Sequence, residues 1–423
     1  MTLEHFLDAA FGNILRFLKE ASFRKEERGP ISWNFVLTLL VVLVYGLVML
    51  FSASYSTGYY RWDGDIYHFI RPQTVYAIVG FVAMLLISNI NYRALRHAYW
   101  YLYVLTLLLL VWALFSEPQN GCHRWVYLFG NSGSLQPSEL SKFCIILGFA
   151  CAADDHYDQR KTLLYGVIRP LLPLAPVLFL LRLEPHNSAI ILLCLIVGTM
   201  MVAGGCGLRW LPLVGAAGVG GILFMLLSQD DSYVAQRLGA WSVTSDGTSD
   251  DILYQTQQSL YSIASGGLTG LGIGNSRQKH LWLPEATNDF IFSVLCEELG
   301  FIGAVICLLL FAALIIQGIL IALRAPDYFG TMMGIGIMAQ IAWQVFCHVG
   351  VVTATLPNTG ISLPFFSSGG TSLLMLMGEM GIMLSISRAG NARLAAQQRR
   401  QRAELARRMN AGQTVYRRRH STI

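Results

Sequence analysis

The stretch LPEATNDFIFSVLCEELG, Leu283 to Gly300, places one aspartate and two glutamates along what otherwise reads as the start of an apolar helix. Acids in such a setting can move protons or anchor other charges. Asp289 stands where a polar segment meets an apolar run, so its carboxylate stays ionised cheaply at the water boundary and can accept a proton there. Glu297 and Glu298 follow eight and nine positions later, about 12 to 13 Å further along a continuous helix. Each would cost roughly 2.5–3.5 kcal/mol at mid-bilayer unless paired inside the protein. They are therefore expected to be internal struts, with Lys142 and Arg124 as candidate partners. Glu139 and Lys142 are themselves (i, i+3) neighbours at the start of an apolar helix. The distance from Asp289 to the glutamates also exceeds the roughly 5 to 9.5 Å carboxyl spacing of a glycosidase dyad. One acid is left for chemistry.

The polar run before Asp289, YQTQQSLYSIASGGLTGLGIGNSRQKHLWLPEATNDF, joins an amphipathic piece to glycines at 266, 267, 270, 272 and 274 and then to Arg277 and Lys279. It has no GKS or GKT ending and no preceding strand, which argues against a nucleotide loop. Glycines beside two cations suit an anionic phosphate ligand. Equally, the glycines can serve only to let the segment pack, with the cations at headgroup level. The eight cysteines show no CxxC and no Cys/His ligand spacing, so neither a zinc site nor a disulfide framework is indicated. No metal site is expected from the residues, and no nucleic-acid partner.

These residues must be positioned by membrane helices. The chain is 54% hydrophobic and 13% charged, against about a quarter charged in soluble domains. A bilayer core takes about 20 apolar residues per helix. About ten such runs occur, centred near residues 43, 82, 107, 147, 174, 196, 219, 304, 341 and 378. The expected fold is all-α: a polytopic integral membrane helix bundle of about ten transmembrane helices. A long extracytoplasmic loop, residues 228–288, falls between spans seven and eight. Residues 1–30 form a cytoplasmic segment, in which Leu3 to Leu18 has the periodicity of an interfacial helix. Residues 31–388 form the membrane domain and 389–423 an Arg-rich cytoplasmic tail. Arg and Lys before the first span, in the short loops and in the tail put both termini in the cytoplasm.

Three runs, SLQPSELSKF, the loop quoted above continuing through IFSVLCEELG, and TLPNTGISLPFFSSGGTSLL, resemble in order and spacing the signature segments of the FtsW/RodA/SpoVE (shape, elongation, division and sporulation) family. The resemblance covers about Phe35 to Arg388. It implies a peptidoglycan glycosyltransferase that polymerises lipid II on the outer face of the bacterial cytoplasmic membrane, beside a class B penicillin-binding protein. It also implies that Asp289, in the P-E-x-x-x-D-F-I-F pattern, is the general base. Arg277, Lys279, Arg124, Lys142, Gln258 and Ser259 are then candidates for substrate or pyrophosphate binding, and Glu139, Glu297 and Glu298 for a structural charge network. Pro364, Ser367, Ser368, Gly369 and Gly370 would belong to a loop lining the cavity. No cofactor is fixed, although a divalent cation, Mg or Mn, would suit the lipid pyrophosphate. The chain departs from the family pattern at Ser368, where a tyrosine is usual, and at Glu184-Pro185-His186, where E-P-D is often found. His186 is expected in a solvated loop. A lipid II flippase and a non-catalytic scaffold for the transpeptidase are the alternatives: transport predicts essential charges spread through mid-membrane helices, polymerisation one indispensable acid at the outer surface.

Overall fold

In the computed structural model the described residues are 27–116, 124–127, 134–210 and 250–420, with scattered positions among 12–23 and 212–220. Most of Leu3 to Leu18 and most of the seventh apolar run, near residue 219, lie outside them. The long apolar runs fold as helices because a chain without water partners must satisfy its backbone internally. The elements are α1 (Trp33–Arg61), α2 (Ile70–Ile87), α3 (Tyr92–Leu114), α4 (Pro137–Asp155), α5 (Leu164–Leu183), α6 (Asn187–Ala203), α7 (Asp250–Gly266), α8 (Ile291–Leu323), α9 (Tyr328–Val352) and α10 (Gly370–His420). A two-residue antiparallel pair, β1 (Val126–Tyr127) with β2 (Ser134–Leu135), precedes α4.

Among the described residues seven helices are long and apolar enough to cross a membrane: α1, α2, α3, α5, α8, α9 and α10. The most hydrophobic windows of α9 and α10 are 67% buried and that of α2 only 22%, so α9 and α10 form the middle of the bundle and α2 its rim. Rim side chains such as Leu37, Leu86, Leu108 and Phe179 are exposed, as helices facing lipid require.

One end of the bundle is tied by ions. Asp327 caps α9 through the Gly330 N–H at 2.7 Å and accepts from Tyr92 Oη and Arg93 Nε, each at 2.6 Å. Arg28 and Asn89 meet at the same end, as do Gly29 and Arg388. The opposite end gathers the turns after α1, the Arg124 segment, the Glu184 to His186 connection, α7 with its glycine loop, and residues 353–369.

The helix is continuous through Glu297 and Glu298, but Asp289 lies before its start at Ile291, and α8 breaks just past the glutamates, at Gly300. There the backbone adopts φ 66°, ψ −167° inside α8, a region that favours glycine. The break frees backbone groups, and the glycine loop takes them: Leu271 and Gly272 donate to the carbonyls of Glu297 and Glu298 at 3.0 and 2.9 Å, while Phe301 and Ile302 donate to Gly267 and Leu268 at 2.9 and 3.1 Å. A Cβ on Gly270 would lie 2.2 Å from the Glu298 carbonyl oxygen. The glycines here let the loop close onto α8; they shape a packing surface.

Candidate active site

Asp289 occupies the last turn before α8, half-buried. Its position is set from two sides. Beneath it, Glu285 adopts φ 52° and accepts from the Phe290 N–H at 3.3 Å and, through its side chain, from Asn288 Nδ2 at 2.9 Å. Across from it lies the 353–369 segment, where a Cβ on Gly360 (φ 66°) would come within 3.0 Å of Asp289 Oδ2. Only glycine lets the backbone approach the carboxylate so closely without strain.

The same segment is fastened to the residues leading into Asp289. Ser367 Oγ donates to the Asn288 carbonyl at 2.7 Å and accepts from the Leu363 N–H at 2.8 Å, and the Ser368 N–H donates to the Thr287 carbonyl at 3.0 Å. Gln73 of α2 closes the clamp, donating to the Ser367 carbonyl at 3.3 Å and accepting from Gly369 N–H at 3.2 Å. Ser188, at the start of α6, donates to the Thr359 carbonyl. Pro364 is buried within this segment and Gly370 opens α10. The structure thus brings Asp289 together with the loop of Pro364, Ser367, Ser368, Gly369 and Gly370. Gln73 was not anticipated; a lone glutamine in an otherwise apolar run was its only sequence signal.

Glu297 and Glu298 are fully buried, with partners other than Lys142 and Arg124. Glu297 accepts from Ser262 Oγ at 2.9 Å, Ser276 Oγ at 2.5 Å and the backbone N–H groups of Arg277 and Gln278 at 2.9 and 3.4 Å. Glu298 pairs with Lys279 Nζ at 2.8 Å and accepts from Ser52 Oγ at 2.7 Å. Lys279 is 2% exposed, so its ammonium is committed to this pair, whereas Arg277 is exposed. Ser259 is also committed, to Ser293 Oγ and the Val352 carbonyl, each at 2.7 Å. Gln258 is half-buried on α7.

A second group of charges sits beneath the β1–β2 segment. Lys142 Nζ meets Glu139 Oε1 at 2.8 Å, both buried. Arg124 Nη2 donates to the Pro185 carbonyl at 2.9 Å. His186 is 7% exposed, so it is not the solvated loop residue expected. Burial first, and then the Arg124 and Lys142 cations, hold its imidazole well below the usual histidine value. Glu184 is 0% exposed and neither carboxyl oxygen has a partner among the described residues. Burial lifts it to about 8, against the opposing pull of Arg124. The folded protein thus holds a proton on Glu184 that the unfolded chain, near 4.5, has released, and stability falls as pH rises from about 4.5 to 8. Glu184→Gln, neutral at every pH, is expected to remove that slope, so that the variant keeps its stability between about pH 4.5 and 8 while the parent loses it. Thermal unfolding of both proteins in detergent across that range reads it directly.

The chain is similar to known proteins over most of its length. The family model described as "Cell cycle protein", FtsW/RodA/SpoVE, matches residues 32–392. Stage V sporulation protein E of Bacillus subtilis (strain 168) is 34% identical over 364 residues, covering 84% of this chain and 96% of the relative. A probable peptidoglycan glycosyltransferase FtsW of Geobacter sulfurreducens is 33% identical, covering 84% and 95%. Among solved structures, a chain from "Structural coordination of polymerization and crosslinking by a peptidoglycan synthase complex" aligns with TM-score 0.70 at 25% identity, over 85% of this chain and 98% of its own. The rod shape determining protein RodA of Thermus thermophilus aligns with TM-score 0.62 at 25% identity, over 85% and 97%. A family match over residues 32–392, with relatives 33–34% identical across nearly their whole length, shows that the chain belongs to the FtsW/RodA/SpoVE family.

Proposed function

We propose that this chain is a peptidoglycan glycosyltransferase that polymerises lipid II, with Asp289 as its general base. The observation that carries the reading is the clamp around Asp289: three segments distant in sequence, 285–290, 353–369 and Gln73, converge to hold one carboxylate at one end of the bundle. That carboxylate would take the proton from the 4-hydroxyl of the acceptor sugar as its oxygen attacks the anomeric carbon of the donor. The bond from that carbon to the pyrophosphate breaks, undecaprenyl pyrophosphate departs with the electron pair, and a single displacement of an α linkage gives a β-1,4 bond. Arg277, exposed beside the glycine loop, and Arg124 are the cations to meet the pyrophosphate charge, while Lys142, buried and paired with Glu139, is committed inside the bundle. Lys279 and Ser259 serve instead to hold the loop. A divalent cation used in the reaction would be bound through the pyrophosphate oxygens.

The proposed topology is ten spans with both termini in the cytoplasm and Asp289 on the extracytoplasmic side of the bacterial cytoplasmic membrane. The partner is a class B penicillin-binding transpeptidase, a reading supported by the likeness to a peptidoglycan synthase complex. The test is glycan-strand formation from labelled lipid II by the purified protein, alone and with its transpeptidase. Polymer in either sample supports the reading. Its absence from both, with lipid II moved between leaflets of a vesicle, would replace it with a flippase.

A further inference from the structure

The bundle interior holds a carboxylate that the polymerisation chemistry leaves unused. Glu379, on α10, is 2% exposed, and its two oxygens accept from the Gln340 carboxamide nitrogen at 3.2 and 3.0 Å. The charged groups facing it are Glu139 and Lys142 of α4, and Lys142 is already paired with Glu139. With both carboxylates ionised, the trio would carry a net charge of −1 away from water, which costs several kcal/mol. One proton removes that charge. The hydrogen bonding points the same way: Gln340 Oε1 is buried without a partner among the described residues. A protonated carboxyl can donate to that oxygen while still accepting from Nε2; an ionised carboxylate has nothing to donate.

A buried polar stripe leads from this group toward the candidate active site. Gln340, Gln344 and His348 recur every four residues along α9, and they are 1, 2 and 0% exposed. They form one buried stripe about 12 Å long. Gln344 Oε1 and His348 Nε2 are, like Gln340 Oε1, buried without a partner among the described residues. Polar atoms left open in a row on one interior face are what ordered internal water bonds to. The outer end of the stripe lies beneath the candidate active site, since His348 Nδ1 is 2.7 Å from the carbonyl oxygen of Ile361, the neighbour of Gly360.

We infer that Glu379 holds an exchangeable proton, and that a file of internal water along Gln340, Gln344 and His348 connects it to the candidate active site. The proton leaves Glu379 as hydronium in that file and returns by the same path, so no bond other than O–H is broken. Its loss would create a second anion for Lys142 and loosen the hold of Glu139. Glu379 thereby bears on how the Glu139–Lys142 pair is held inside the bundle. None of this rests on the polymerase reading.

The test is infrared difference spectroscopy of the full chain in detergent at neutral pH, exchanged from H2O into D2O, which needs no turnover. A protonated-carboxyl carbonyl band that shifts in D2O is expected, lost in Glu379→Gln, displaced in Glu379→Asp and retained in Glu184→Gln. In Gln344→Leu the band should persist while its fast exchange phase is lost. A spectrum in which Glu379→Gln and Glu379→Asp change no carboxyl band overturns the proton assignment. Unchanged fast exchange in Gln344→Leu overturns the water file. If those bands behave as expected while no lipid II is polymerised, the proton site stands and only the proposed function falls.

Discussion

Asp289→Asn is expected to lower glycan-strand formation from lipid II by about a hundred- to ten-thousandfold, the usual worth of a positioned general base. The substitution keeps the side-chain shape, so the contact with Gly360 and the hydrogen bonds of Asn288 and Thr287 to the 353–369 segment should persist. Thermal stability should accordingly stay close to that of the parent. Lipid II binding should also survive, because the proposed pyrophosphate cations lie on other segments. The loss then belongs to the rate of the chemical step and not to affinity. The measurement is polymer length and yield with labelled lipid II, with binding determined separately on the same preparations. Full activity in a folded Asp289→Asn protein would remove Asp289 as the base.

The second large effect concerns stability. Glu298→Ala is expected to destabilise the protein by about 3–5 kcal/mol, because it leaves the Lys279 ammonium buried without its counter-ion. The pair sits at 2.8 Å with side chains 2% and 0% exposed, so water cannot replace the lost partner. The damage should reach the site indirectly: Lys279 and the Ser276 to Gln278 backbone, held by Glu297 and Glu298, anchor the loop that carries Arg277. Replacing both members, Glu298→Leu with Lys279→Met, should recover most of the stability, since apolar pairs of similar volume commonly match buried ion pairs. Detergent thermal unfolding of the two single variants and the double variant, read as a cycle, checks this. Equal destabilisation by the double and single variants would show that the hydrogen bonds, and not the uncompensated charge, set the cost.

Much of the molecule is legible in its residues because membranes allow few answers. Apolar runs the length of a bilayer must become helices, and α1, α2, α3, α5, α8, α9 and α10 all appear where the runs predict. Asp289 could be singled out because an acid at the junction of a long polar loop with an apolar helix has water on one side and structure on the other. Glu297 and Glu298 could be read as struts, since buried carboxylates demand partners. Their partners could not be named. Lys279 precedes Glu298 by nineteen positions, and only the break at Gly300 and the folding back of the glycine loop bring them together.

The same limit explains His186 and Glu379. Whether a loop histidine meets water depends on what covers it, and the Arg124 segment that lies near it is remote in sequence. Glu379 stood in plain view within LLMLMGEMGIML, a charge in a predicted span, yet its meaning depends on Gln340 of another helix and on the Glu139–Lys142 pair of a third. Composition was enough for the helical class and the junction of polar loop and apolar helix enough to mark Asp289 as a candidate base, while the family was legible only through the resemblance of three motif runs. Tertiary structure alone decided which cations are spent on holding the loop, which polar groups are left open inside the bundle, and how closely Gly360 approaches Asp289. Those are contacts between helices, set by packing, and no local pattern encodes them.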